Sequence, residues 1–201
     1  MYRNNSQNCG LIEGQIGARD KIRHTNSYFS PQQLVDCDKG NGDIGCDGGE
    51  LRYSLQYVQK VGLVKETLYP YVGKGKKCKN NLIEETQKIK SFSFCDEEVH
   101  KHCTVEKVYG YLKTGPIGIA IDADSIQNYE SGIWNKKCKE SNHAVVLVGY
   151  GIDPETQKEY WIVRNSWGAS WGEKGFIRYA RKDSNHGSCF ITTSGYKVVL
   201  P

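Results

Sequence analysis

His143 and Asn165 are the two residues whose types could do chemistry together. His143 opens an apolar run, Ala144 to Val148, which closes on Gly149-Tyr150-Gly151. A polar loop follows, and a second apolar run, Tyr160 to Val163, ends at Asn165. Two such runs joined by a Gly/Asp/Pro-rich loop read as an antiparallel strand pair. That pairing brings the start of the first strand beside the end of the second, so the two residues are expected to be neighbours although 22 apart in sequence. An imidazole beside a side-chain amide is half of a nucleophilic site. The amide fixes tautomer and orientation, and the other ring nitrogen serves a thiol. By default a His and an Asn at strand ends are surface polar residues. Chemistry is favoured by Asn165-Ser166-Trp167-Gly168 followed by Trp171-Gly172, where two indoles in a Gly-rich turn are placed to shield a His–Asn hydrogen bond from water.

The elements that must position this pair are distributed along 201 residues, enough for one domain or two closely packed lobes. Met1 to Gly10 reads as polar and irregular, and Asn4-Asn5-Ser6 is a glycosylation sequon. Leu11 to Ile22 reads as a helix carrying Ile12 and Ile16. Ser30-Pro31-Gln32-Gln33 reads as a capping box with Pro in the first helical position, starting a short helix to Cys37. Leu51, Leu55 and Val58 mark a further helix, and Thr104 caps one whose inward stripe is Val105, Val108 and Leu112, stopped by Gly115-Pro116. Strands are expected at Ile83–Phe94, Ile117–Ile121, Phe176–Arg181 and Thr193–Val199. Helices early and strands late give an α+β protein, with a helical lobe over 1–95 and a small barrel over 96–201.

Composition narrows the function. No 18-residue apolar stretch is present, so no membrane span is expected. Met1-Tyr2-Arg3 does not read as a signal peptide. The net charge of +4 is mild, and Lys74, Lys76, Lys77 and Lys79 read as a solvated loop rather than a nucleic-acid patch. His100, His102 and Cys103 cluster without a fourth ligand, so no metal is expected, and no cofactor. Eight cysteines with spacings unlike zinc motifs suggest an oxidising compartment, and spacing cannot choose among the 105 complete pairings they allow.

Asn142-His143-Ala144-Val145, the Asn165–Gly168 run and Trp171-Gly172 resemble the histidine strand and asparagine turn of the papain-like cysteine peptidases, the cathepsin L, plant papain and mite group 1 allergen kind. The resemblance covers nearly all of the chain. It implies a two-lobe α+β fold, a helical lobe and an antiparallel β-barrel lobe with a cleft between, and peptide-bond hydrolysis through a Cys-His-Asn site. It makes His143 and Asn165 catalytic. It implies bridges Cys9–Cys46, Cys37–Cys78 and Cys138–Cys189, which leaves Cys95 and Cys103, eight apart, to close a small extra loop. Gly48 and Gly49 resemble the ledge that pairs with substrate backbone. The resemblance places Leu51, Ala120, Ser141 and Ser194 around the main specificity pocket, with Glu50 at its edge and Trp167 beside the site, a medium apolar pocket suited to Leu or Val. The implied setting is a lysosomal or extracellular monomer acting on peptide or protein substrates and open to cystatin-like inhibitors. The family's inhibitory pro-segment is not found, so the chain is expected to be a mature region or to begin late.

One piece of the pattern is missing. The family's nucleophile follows a Cys-Gly-Ser-Cys-Trp motif, at the start of a helix whose dipole favours the thiolate. Here Cys9-Gly10 is followed by Leu11-Ile12-Glu13-Gly14, which matches the stretch beyond the nucleophile, so about nine residues are absent, the nucleophile among them. The family's oxyanion glutamine corresponds to Ser6, and Gln7 lies one place off. Cys9 is the only thiol near enough to be a surrogate, and using it would strand Cys46. Four bridges would consume every cysteine. Nine helical residues rise about 13 Å, so Gly10 cannot join Leu11 with both in their family positions. Either Leu11–Gly14 unwinds or Cys9 leaves its partner, and residues 1–20 are expected to be poorly ordered or rearranged. Two readings follow: a lysosomal or secreted endopeptidase whose sequence here lacks a segment through splicing or gene-model error, or a pseudo-peptidase that keeps the cleft for binding. An exon junction at Gly10–Leu11 would favour the first.

Overall fold

The computed structural model describes residues 5–21, 28–40, 45–95, 103–181, 189, 191 and 195–201. The chain divides into two compact units, Met1–Ser93 with Val198–Pro201, and Phe94–Lys197.

The first unit is helical. α1 (Asn5–Asp20) packs on α2 (Pro31–Cys37) and α3 (Leu51–Lys60). Leu11, Ile12, Leu34, Leu55, Val58, Leu63 and Val64 are buried there. Ser30 caps α2 by accepting the Gln33 N–H at 3.0 Å. Gln33 does not reach back to complete the box. Its Nε2 donates to Gly62 O at 2.9 Å and its Oε1 accepts Val64 N–H at 2.9 Å, tying α2 to the chain beyond α3. Buried backbone groups outside regular structure need such partners. The Cys37–Cys78 bridge lies within this unit.

α1 corrects the expectation for the N-terminus. Asn5–Gly10 is helical rather than irregular, and the helix passes through Gly10–Leu11 without a break. It ends at Asp20, two residues early, where Lys21 turns left-handed with φ 54°. Leu11–Gly14 keeps its helix, and Cys9 is instead held in the core as a free thiol while Cys46 is free and exposed. The expected Cys9–Cys46 bridge is not formed. Residues three and four before Leu11 and Ile12 share their face of the helix. Gln7, Asn8 and Cys9 are therefore carried inward, and all three are buried. Gln7 Nε2 and both polar atoms of Asn8 find no hydrogen-bond partner.

The second unit holds α4 (Val105–Leu112), capped by Thr104 as expected, and the four-residue α5 (Ala123–Ile126), which was not. Asp122 caps α5, its Oδ1 accepting from Asp124 N and Ser125 N. The strands of the whole chain are β1 (Ser91–Phe94), which lies mostly in the first unit, β2 (Ile117–Ile121), β3 (Ile133–Trp134), β4 (His143–Ile152), β5 (Glu159–Arg164), β6 (Phe176–Ala180) and β7 (Tyr196–Val199), whose last two residues return to the first unit. Their order is β1-β7-β2-β4-β5-β6-β3. β2, β4, β5 and β6 are antiparallel neighbours, whereas β3 runs parallel to β6, so the sheet is mixed. Ile117, Ile119, Val145, Leu147, Trp161, Val163 and Ile177 fill its core.

Two strand readings are corrected. Only Ser91–Phe94 of the stretch from Ile83 is a strand, because Glu85 is left-handed and Gln87 exchanges both backbone hydrogen bonds with Leu63. β4 does not stop at Gly149 but continues to Ile152, across a bulge between Leu147 and Gly149. Gly151 faces Tyr160, whose ring would meet a Cβ at 2.7 Å. The glycine makes room for the cross-strand ring instead of ending the strand.

The bridges Cys95–Cys103 and Cys138–Cys189 lie in this unit. Asn4, His100, His102 and Ser194 fall outside the described residues. Among the described residues no helix is long and apolar enough to cross a membrane, and no cluster of His, Cys, Asp or Glu has the make-up of a metal site.

Candidate active site

His143 is the first residue of β4 and Asn165 directly follows β5, so the antiparallel pairing of these strands sets both at one end of the sheet. His143 Nε2 lies 2.9 Å from Asn165 Oδ1, and both side chains are buried. The same Oδ1 accepts Ser166 N–H at 2.8 Å. A backbone N–H must face an acceptor, so this contact identifies the amide oxygen. His143 Nε2 is then the donor, and Nδ1 is left with a free lone pair.

Burial pushes the His143 imidazole below its ordinary value of 6.5, while the bond to Asn165 works against that fall. The ring is held as neutral imidazole with Nδ1 able to take a proton. Such a group acts as a general base, or as the partner of a thiol.

A turn over 165–175 covers the pair. Asn165 N donates to Gly175 O at 2.9 Å and Gly175 N to Trp171 O at 2.8 Å. Trp167 stacks on His143 at 5.2 Å between centroids with 29° between planes, and meets Trp171 edge-on at 5.2 Å. The turn closes this tightly because Gly172 is left-handed with φ 56°, where a Cβ would sit 2.6 Å from Phe176 O. The indole lies over the imidazole as the Trp-rich turn implied.

The other anticipated residues lie as follows. Ala120 on β2 pairs with Ala144, next to His143, and Ser141 lies two residues ahead of His143. Gly48, Gly49, Glu50 and Leu51 belong to the first unit, where Gly48 has φ 124° and Leu51 begins α3 as a buried residue. Gln7 is enclosed in α1 and its Nε2 has no hydrogen-bond partner. Cys9 is buried, and its thiol is pushed well above the ordinary range, first by desolvation and then by the charges of Glu13 and Glu66. A thiol held protonated in a core is a poor nucleophile.

Sequence reasoning missed the residues that brace the turn. Glu173 accepts Gly132 N–H at 2.8 Å and is gripped by Arg178 through Nη2 at 2.7 Å and Nε at 2.9 Å. Tyr129 donates to Gly132 O at 2.7 Å and packs on Trp171 and Trp134. The available signal was an acid and a base five residues apart across a tight turn into a strand.

Comparison with known proteins agrees with this geometry. The family described as papain family cysteine protease matches residues 7–199. A cathepsin L-like protein of Caenorhabditis elegans is 41% identical over 197 residues, 94% of this chain and 56% of that protein. Procathepsin L of Mus musculus is 36% identical over 199 residues, 94% of this chain and 57% of that protein. The chain thus spans a little over half the length of these curated relatives. The structure of bromelain from Ananas comosus in complex with the E64 inhibitor superposes with a TM-score of 0.85 at 31% identity, covering 99% of this chain and 89% of that one.

Proposed function

The chain belongs to the papain family of cysteine proteases, and from that premise we propose that it descends from an endopeptidase whose thiol it no longer carries. It keeps the imidazole and amide of a Cys-His-Asn site and does not hydrolyse peptide bonds. The fate of the cysteines carries this reading. Six are in bridges, Cys9 is a buried protonated thiol, and Cys46 is an exposed thiol of the first unit. None is a thiolate at the N-terminus of α1. Removing the nucleophile from a triad hydrolase costs on the order of a millionfold in turnover. What remains over water is roughly a thousandfold, from binding and oxyanion contacts.

The activity left to such a chain is binding. The resemblance assigns Gly48 and Gly49, just ahead of α3, the pairing with an extended peptide as an added strand. By the resemblance, the preferred side chain is a medium apolar one such as Leu or Val. Three disulfides fit a lysosomal or extracellular setting. In that setting peptides, and inhibitors of the cystatin kind, are the proposed partners of a monomer.

The test uses the purified chain with dipeptidyl fluorogenic substrates and E64. The expected result is no turnover and no mass adduct, with extended Leu- or Val-containing peptides still bound. Covalent labelling at Cys9 or Cys46 together with cleavage would overturn the reading. Inserting a nine-residue segment containing Ser-Cys-Trp after Gly10 is expected to bring cleavage and E64 labelling back.

A further inference from the structure

We infer that Glu173 is a positioning residue for the His143–Asn165 pair, anchoring the tryptophan turn to the sheet through Arg178. The inference is independent of whether the chain cleaves peptides, because it concerns only how the imidazole is held.

Arg178 is a fixed point. It sits on β6, paired across to Ile162 on β5 on one side and to Ile133 on β3 on the other. Its guanidinium lies 5.3 Å over the Tyr160 ring and 3.8 Å from Asp153. Glu173 belongs to the turn. Its backbone exchanges hydrogen bonds with Phe176, N to O at 2.9 Å and O from N at 3.2 Å, while its carboxylate takes the Arg178 fork and the Gly132 N–H. Both side chains are about a quarter exposed, so the pair is partly shielded and its geometry is bidentate. The Glu173 carboxyl is held below its ordinary value by the Arg178 and Gly132 donors, against its own desolvation.

From that anchor, ring contacts lead to the site without a gap. Tyr129, fixed through its hydroxyl to Gly132 O and Arg178 N, packs on Trp171 at 5.6 Å. Trp171 meets Trp167 edge-on, and Trp167 stacks on His143. Gly172, next to Glu173, leaves room for the Tyr129 ring, which a Cβ would approach to 3.0 Å. Release of the carboxylate frees Gly132 N–H and the Arg178 fork, and so loosens Gly132, whose carbonyl holds the Tyr129 ring behind Trp171. Glu173 touches neither His143 nor Asn165, and acts through Trp171 and Trp167.

The experiment compares the full chain with Glu173→Gln and Arg178→Lys, reading the His143 ring-proton resonances by NMR, assigned with His143→Gln, and the near-ultraviolet circular dichroism of the tryptophans. Stacked under Trp167, the His143 protons carry a ring-current shift. Glu173→Gln keeps an acceptor for Gly132 N–H but removes the charge. It is expected to move these resonances toward free imidazole and to weaken the coupled tryptophan signal. Arg178→Lys keeps the charge but loses the fork, and is expected to shift both in the same direction by less. A lower melting temperature with both signals unchanged would mean a purely structural ion pair and overturns the inference. If Glu173→Gln does not fold, Arg178→Lys decides alone, and unchanged signals in it overturn the inference equally.

Discussion

Asn165 Oδ1 takes two hydrogen bonds at once, 2.9 Å from His143 Nε2 and 2.8 Å from Ser166 N. Asn165→Ala removes the acceptor for both and leaves a buried imidazole N–H without a partner. The expected cost is about 1–3 kcal/mol. The His143 pKa is expected to fall further, because the bond that opposes desolvation is gone. Chemical denaturation and NMR titration of the imidazole measure the two effects. A rise in pKa would contradict the tautomer assigned here.

The lowered His143 pKa also makes stability depend on pH. The unfolded chain takes up a proton near 6.5, whereas the folded imidazole resists until lower pH. Between the two values the unfolded state binds more protons, so stability is full above 6.5 and is lost as pH falls through the folded pKa. Melting curves of the native chain and of His143→Gln across this range are expected to converge toward acid. A constant difference between them would show that His143 contributes nothing to the pH dependence.

The thiols report on α1. In native protein a chromogenic disulfide reagent is expected to find Cys46 at once, and Cys9 on the order of a hundredfold more slowly, since opening of the core must precede reaction. After unfolding without reductant two thiols are expected and six cysteines stay silent. Finding none would restore the Cys9–Cys46 bridge.

Gln33 is a buried polar tie of the helical unit. Gln33→Ala strands Gly62 O and Val64 N, both buried against it, and is expected to destabilise by about 2–4 kcal/mol. Gln33→Glu keeps the acceptor for Val64 but loses the donor for Gly62, and is also expected to destabilise. Urea denaturation measures both. A change below about 0.5 kcal/mol, the ordinary surface range, would rule out this role.

Much of this was legible because the signals were local. Ser30 and Thr104 announce helix starts through one side-chain hydrogen bond each, and both caps form. Leu51, Leu55 and Val58 repeat at helical spacing and are all buried. The His143–Asn165 bond followed from two apolar runs and the turn after them. The rest was set by tertiary context. Whether β4 ends at Gly149 or runs on depends on where the Tyr160 ring lies, which no glycine declares. Asn5–Gly10 carries no apolar stripe, and it is helical because Leu11 and Ile12 are anchored in the core beyond it. Glu173 and Arg178 look like any exposed acid and base until the turn folds them together.

The unbroken run of α1 through Gly10–Leu11 bears on how the chain meets quality control in the cell. The product that leaves the ribosome still closes its core over Leu11 and Ile12. Chaperones and degradation machinery sort chains by exposed apolar surface and by the population of open states, not by chemical competence. With Gly10, Leu11 and Ile12 all buried, α1 shows no exposed apolar surface at this point.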